Sequence, residues 1–399
     1  MMPNSKTTSQ TIGIVLSTVP RYSETFFRNK IKGLQENGFD VVLFVDYVEE
    51  GDLDFPCTVI ASANYNSSRL KSLSNITKAL FKSIFSHPKT SIRFLRLERK
   101  DGLSLKNSLR NTIVNEFLLR KKIDWLHFGF GMLSSNRENI AQAIAAQMAV
   151  SFRGFDLYLS PLKHKGCYQR LFLKEVKYHV LSHEMKTDLK AQGIQSENII
   201  VIPPAINVDF FQSDGNVKKE ASIQLVTVAR LHWKKGLEYT LEAIRLLKDS
   251  NIDFHYTIIG EGSEYERLQF ATHQLNVQDH VTFTGKLPQT EVKKYLESSH
   301  IYLQYSIQEG FCNSVLEAQA MGLLCIVSNA EGLSENVLDQ KTGWVVPKRQ
   351  PELLAQKVQE VIRLNPQEKR AIKEVAIKRV REEFNLEQQN EAFFKFYNR

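Results

Sequence analysis

Residues 11–45 read TIGIVLSTVPRYSETFFRNKIKGLQENGFDVVLFV. The run Thr11–Ser17 is apolar and rich in β-branched residues, Glu24–Asn37 has helical spacing, and Asp40–Val45 is a second apolar run. Apolar runs of this length separated by one amphipathic helix predict a β-strand, helix, β-strand unit whose strands lie parallel. Further strands are expected over Ile123–Phe128, Ala149–Phe152 and Tyr178–Leu181, with a helix over Arg137–Gln147. After Pro203-Pro204 the alternation restarts. Strands are expected at Ile223–Ala229, Phe254–Ile259, Val281–Phe283, Ile301–Tyr305, Cys325–Ser328 and Trp344–Val346, with helices between them. A chain of 399 residues exceeds one ordinary core. The pattern therefore predicts an α/β protein of two doubly wound units, residues 1–204 and 205–380, with 381–399 a C-terminal helix. The aromatic run at Phe393, Phe394, Phe396 and Tyr397 is expected to pack that helix back on the first unit.

Composition narrows the class. With 42% hydrophobic and 24% charged residues the chain reads as globular. It holds no apolar stretch long enough to cross a bilayer and no secretory leader is expected, so a cytoplasmic protein is predicted. The four cysteines are scattered, which predicts free thiols and neither a zinc site nor a disulfide framework. Charge is concentrated: residues 65–122 hold fourteen Lys or Arg against three acids, a net of +11 in a chain of +8. That segment is either a solvated helical face or a surface for anionic partners, with docking on an anionic membrane the reading favoured by its mixture of apolar and basic residues. Nucleic-acid binding is disfavoured, because no aromatic stacking motif accompanies the charge.

The chemistry concentrates in QEGFCNSVLEAQAMG, residues 308–322. Glu309 falls in the loop after a strand, and a helix is expected to begin near Asn313, with that side chain as N-cap. First-turn N–H groups of Asn313, Ser314 and Val315 offer a seat for a phosphate or diphosphate. Glu317, about a turn further, can accept hydrogen bonds from ribose hydroxyls, and Glu309 from sugar hydroxyls. Alternatively both are ordinary acids, one in a loop and one on a solvated face. Residues 228–236, VARLHWKKG, open a helix after another strand and place Arg230 and Lys235 within reach of a diphosphate.

Taken together, VARLHWKKGLEYTLEA, the run from Gln308 to Gly322 and GLSENVLDQKTGWVVP resemble the donor-binding domain of the retaining family-4 (group 1) glycosyltransferases, with an E-x7-E motif at Glu309 and Glu317. The resemblance spans residues 176–350. It implies a GT-B fold, two facing Rossmann-like domains with a cleft, a nucleotide-sugar donor, a saccharide or lipid-linked saccharide acceptor, retention of anomeric configuration, and neither metal nor cofactor. It implies donor contacts by Arg230, Lys235, Lys286, Leu287, Glu309, Gly310, Phe311, Asn313, Ser314, Val315 and Glu317. In the first half, RYSETFFRNKI (21–31) resembles members that build bacterial surface polysaccharides, and LHFGF (126–130) and SFRGFDL (151–157) also match. His127 would contact the reacting sugar, or is a hydrogen-bonded core histidine. Ser23, Glu24, Arg153 and Asp156 would lie on the acceptor side. Arg153 departs from the family's histidine before the glycine, and Ser17-Thr18-Val19-Pro20 replaces its Gly-Gly turn. Rival readings are a sugar-nucleotide 2-epimerase on the same fold, a metal-dependent transferase using Asp52-Leu53-Asp54, and a basic membrane-surface or nucleic-acid binding module.

Overall fold

The computed structural model describes residues 10–20, 25–48, 55–63, 75, 77–82, 86–213, 222–250 and 252–398. The Ser23 and Glu24 positions and the Asp52-Leu53-Asp54 triplet lie outside the described residues. Two compact units emerge: residues 1–180, 186–202 and 390–399 form the first, and 181–185 with 203–389 form the second.

In the first unit seven strands make one sheet. They are β1 (Thr11–Thr18), β2 (Asp40–Tyr47), β3 (Thr58–Ala61), β4 (Trp125–Phe128), β5 (Gln147–Phe152), β6 (Lys177–Val180) and β7 (Ile199–Val201). Their order is β3-β2-β1-β4-β5-β6-β7, and every pairing is parallel. Ile12 to Leu16 and Val41 to Val45 are buried without alternation, because helices cover both faces of a parallel sheet. The second unit repeats the scheme with β8 (Ile223–Val228), β9 (Phe254–Ile259), β10 (Val281–Gly285), β11 (Ile301–Gln304), β12 (Leu324–Ser328) and β13 (Trp344–Val346). Here the order is β10-β9-β8-β11-β12-β13, again all parallel. In each sheet the direction of winding reverses beside the first strand, between β1 and β4 and between β8 and β11. Such reversals open a crevice at the carboxyl edge, where ligands of doubly wound sheets bind.

Three expectations are corrected. The helix expected over Arg137–Gln147 shrinks to Ile140–Ala143. Arg137 is held by Asp46 and Asn115, Asn139 by Glu98 and Asp101, and Ala145 sits at φ +61, so tertiary contacts override local helix preference. The helix after β11 starts at Asn313, but its N-cap is Cys312 and no side chain caps it. Two short edge strands, β3 and β7, were not foreseen.

The C-terminal helix Leu386–Tyr397 buries Phe393, Phe396 and Tyr397. All three belong to the core formed around β1 and β2, while Phe394 remains more than a third exposed. The Trp125 indole donates to the Tyr397 carbonyl at 3.1 Å, and the Tyr397 ring meets Trp125 and Phe39 edge-on. Each such aromatic contributes roughly 2–3 kcal/mol through burial.

Candidate functional site

The carboxyl edge of the second sheet gathers most of the residues singled out in the sequence. Arg230 and Lys235 follow β8, Lys286 and Leu287 follow β10, and Glu309 follows β11. Gly236 lets the first of these loops pass. Its φ is +61, and a Cβ there would sit 2.1 Å from the Tyr305 carbonyl oxygen, so only glycine fits between the β8 and β11 loops. The backbone of Ile307 donates to the Lys234 carbonyl at 2.7 Å, locking the two loops side by side.

This contact places the Lys235 ammonium directly on the Glu309 carboxylate. Both side chains are largely buried. Burial, the largest single influence, presses the Lys235 pKa down, but the charges of Glu309 and Cys312 and the hydrogen bond to Glu309 together outweigh it and leave the group raised. Lys235 is therefore a firmly charged cation whose charge is already shared. Two further lysines along the edge are also paired: Lys286 with Glu261 at 3.4 Å and Lys348 with Glu331 at 3.3 Å. Arg230 differs. It is exposed and has no partner among the described residues, so its guanidinium fork is open to an anion.

Two acids that sequence reasoning missed help to build this edge. Glu331, after β12, accepts the Glu309 N–H at 2.9 Å and fixes the loop that carries it. Beside it Gly332 packs so close that a Cβ would lie 1.9 Å from the Gly310 carbonyl oxygen. Glu261 stands between Gly260 and Gly262 directly after β9, and that Gly-x-Gly step after a strand was the signal that could have found it.

The helix Asn313–Ala320 points its N-terminus at the same edge. Asn313 is half-buried. The Ser314 hydroxyl donates to the Val228 carbonyl at 2.9 Å and receives the Tyr302 hydroxyl at 2.7 Å, fastening the helix start to the end of β8. Val315 is fully buried and Phe311 nearly so, its ring 5.6 Å from that of Phe384. Gly310, Phe311 and Val315 thus offer the site backbone only. Glu317 is half-buried, and burial pushes its carboxyl up to about 7. No hydrogen-bond partner engages it among the described residues, so the expectation of an ordinary solvated acid does not hold.

In the first unit His127 takes the core alternative. It is fully buried on β4 with both ring nitrogens engaged, so the sugar contact expected of it is corrected. The geometry fixes its tautomer. His179 Nε2 faces the Ile202 carbonyl at 2.9 Å and must carry a proton, so its Nδ1 accepts from the Ser151 hydroxyl at 2.7 Å. Ser151 in turn accepts from His127 Nε2 at 2.7 Å, leaving His127 Nδ1 to accept from the Tyr397 hydroxyl at 2.5 Å, with Lys30 Nζ at 3.3 Å. Burial lowers both histidines and Lys30 well below their ordinary values, and the network holds no carboxylate. Asp156 is likewise internal: it accepts the backbone N–H groups of Gly131 at 2.8 Å and Arg153 at 2.7 Å, and burial raises its pKa. The acceptor contact expected of it is corrected to a clamp between two loops. The Arg153 guanidinium lies over Phe26 at 3.8 Å and Phe27 at 4.7 Å, half-buried. Among the described residues no helix is long and apolar enough to cross a membrane.

Residues 209–379 match the family Glycosyl transferases group 1. Over 397 residues the chain is 27% identical to a putative colanic acid biosynthesis glycosyltransferase, WcaL, of Escherichia coli K12, spanning 94% of this chain and 96% of that one. It is 30% identical over 238 residues to the amylovoran biosynthesis glycosyltransferase AmsK of Erwinia amylovora, 58% of each chain. Among solved structures, Anabaena HepE in complex with UDP and glucose superposes with a TM-score of 0.72, covering 97% of this chain and 98% of that one, at 12% identity. An identity that low speaks for the fold alone, and the fold is that of the GT-B glycosyltransferases.

Proposed function

For a chain whose residues 209–379 match the group 1 glycosyltransferases, we propose that it moves a sugar from a nucleoside-diphosphate sugar onto a saccharide or lipid-linked saccharide, with retention of configuration and without a metal ion. The assembly of a bacterial surface polysaccharide is the process this serves, in keeping with what the relatives' names say of them. The carrying observation is the convergence, at the β8/β11 reversal, of an Arg230 that has no partner among the described residues, the Lys235–Glu309 pair and the N-terminus of the helix Asn313–Ala320. Bond cleavage leaves charge on a departing diphosphate. Preorganised cations and N–H dipoles at that spot stabilise it more than they stabilise the intact donor, which is what lowers the barrier. Glu309 orients the sugar hydroxyls, Glu317 takes the ribose hydroxyls, and Lys286 and Leu287 lie beside the base. The first unit supplies the acceptor side.

The test is calorimetry and thermal shift on the full chain with UDP, GDP, ADP, CMP and their sugar conjugates, with and without EDTA, repeated on Glu317→Ala. One nucleoside diphosphate raising Tm by several degrees, indifferent to EDTA and weakened in the variant, is expected. Binding by none of them overturns the donor site, and an inverted product by NMR overturns retention. Exposed Phe81 and Ile92 among exposed Lys89, Arg93 and Arg96 extend the proposal to peripheral contact with anionic membranes. Equal binding to neutral and anionic vesicles would remove that extension.

A further inference from the structure

The first unit carries a pocket of its own, about 380 Å³, at the carboxyl edge of its sheet. Asp46 of β2 and the segment Met132–Arg137 after β4 line it, so it straddles the β1/β4 reversal, where a doubly wound sheet offers its ligand crevice. One wall is the helix Leu105–Val114. Asn107, Arg110, Asn111 and Val114 stand at the i, i+3, i+4, i+7 spacing that puts four side chains on one helical face, and all four line the pocket.

The charge balance of this pocket is specific. Arg137 is buried and spent: it binds Asp46 at 2.5 Å and its Nε donates to Asn115 at 2.8 Å. Arg110 is exposed and has no partner among the described residues, so the lining keeps one uncompensated positive charge. Asn111 donates its amide N–H to Glu98 at 2.7 Å, which leaves its carbonyl oxygen as an acceptor, and the Asn107 side-chain amide has no hydrogen-bond partner among the described residues. Half-buried Leu103, Val114, Met132 and Leu133 add an apolar surface. One cation, amides for hydroxyls and an apolar patch for a C–H face together fit a sugar that carries a negative charge, and the volume lies in the range of small-ligand sites. No aromatic ring lines the pocket to stack a base, and its single acid is already paired, so neither a second nucleotide nor a divalent cation suits it.

We infer that this pocket binds an anionic sugar unit of the acceptor, a carboxylate or phosphate of that unit pairing with Arg110; the inference rests on the transferase reading above. Methyl β-D-glucuronide, methyl β-D-glucoside and glucose 6-phosphate are titrated into the full chain by ligand-observed NMR, with Arg110→Gln and, outside the pocket, Arg93→Gln. At least one of the two charged probes should bind wild type about tenfold more tightly than the glucoside does. Arg110→Gln should erase the preference and Arg93→Gln keep it; whichever charged probe is preferred names the anion as carboxylate or phosphate. Equal binding of charged and neutral probes to wild type, or an unchanged preference in Arg110→Gln, overturns the inference. Nucleoside-diphosphate binding, measured on the same samples, should not change in Arg110→Gln. Its absence in wild type would instead sink the transferase reading.

Discussion

Two polar clusters in this protein answer to opposite rules. At the carboxyl edge of the second sheet, Lys235, Lys286 and Lys348 each meet a carboxylate, and Arg230 beside them has none among the described residues. In the first unit, Lys30, His127, Ser151, His179 and Tyr397 form an inner chain with no acid and no route to solvent. The first keeps its charges and leaves one unspent, as a site for an anion must. The second holds its lysine and histidines toward neutrality, and each ring N–H and hydroxyl proton in the chain has an assigned acceptor. Polar residue types alone do not separate a site from a core; the presence of counter-ions and of exposure does.

The sharpest way to break this contrast is Lys235→Ala. Removing one partner of a largely buried pair leaves Glu309 uncompensated, a loss of about 3–5 kcal/mol in stability, with turnover falling on the order of 10²-fold or more as well. Adding Glu309→Gln should restore much of the Tm measured by calorimetry and none of the rate. Arg230→Ala comes next: turnover should fall on the order of 10²-fold while Tm holds, since nothing in the fold leans on that side chain. A near-normal rate would remove Arg230 from the site. His127→Ala reverses the pattern. It leaves the Ser151 and Tyr397 hydroxyls without their partner in the core, costing about 3 kcal/mol in urea unfolding, yet the rate per folded molecule should stay within a few-fold of wild type. A selective loss of rate would return His127 to the chemistry.

The smallest effect is a pH dependence. Glu317 has a folded pKa of about 7, raised by burial from an ordinary 4.5. A raised carboxyl favours the folded state when protonated, so its contribution is lost as pH climbs from about 4.5 through 7. Glu317→Gln should therefore raise Tm at pH 8 and leave it unchanged at pH 4. If the ionised form receives the ribose, nucleotide affinity should weaken by about tenfold from pH 8 to pH 6, with protons released on binding near pH 7. Calorimetry in two buffers of different ionisation heat reads that release, and a flat profile would detach Glu317 from the nucleotide.

How far the sequence could be read follows the same contrast. The longer parallel strands were legible because helices cover both faces and most positions are apolar: Phe254–Ile259 has the bounds its composition suggests. The edge strands β3 and β7, four and three residues long, were missed, although the equally short edge strand β13 was found. The Arg137–Gln147 helix failed because Arg137 and Asn139 bond to partners about ninety and forty positions away, which no local pattern encodes. Among the loops that leave strands, spacing singled out Arg230, Lys235 and Glu309 but not Glu261 and Glu331, which lie after β9 and β12. The role of His127 was not legible, because a histidine at a strand end looks alike in sequence whether it faces a sugar or a tyrosine from the far end of the chain.

That tyrosine has a consequence for how the protein comes into being. Phe393, Phe396 and Tyr397 complete a core whose first strand begins at Thr11, so the first unit spans nearly the whole chain in time as well as in sequence. On a ribosome the N-terminal sheet emerges first but lacks its cover until residues 390–398 are made, whereas the block 203–389 emerges in one piece. The usual order, in which the earlier domain folds first during synthesis, is inverted here: the second unit can close first, and the unit begun earlier must wait for residues 390–398.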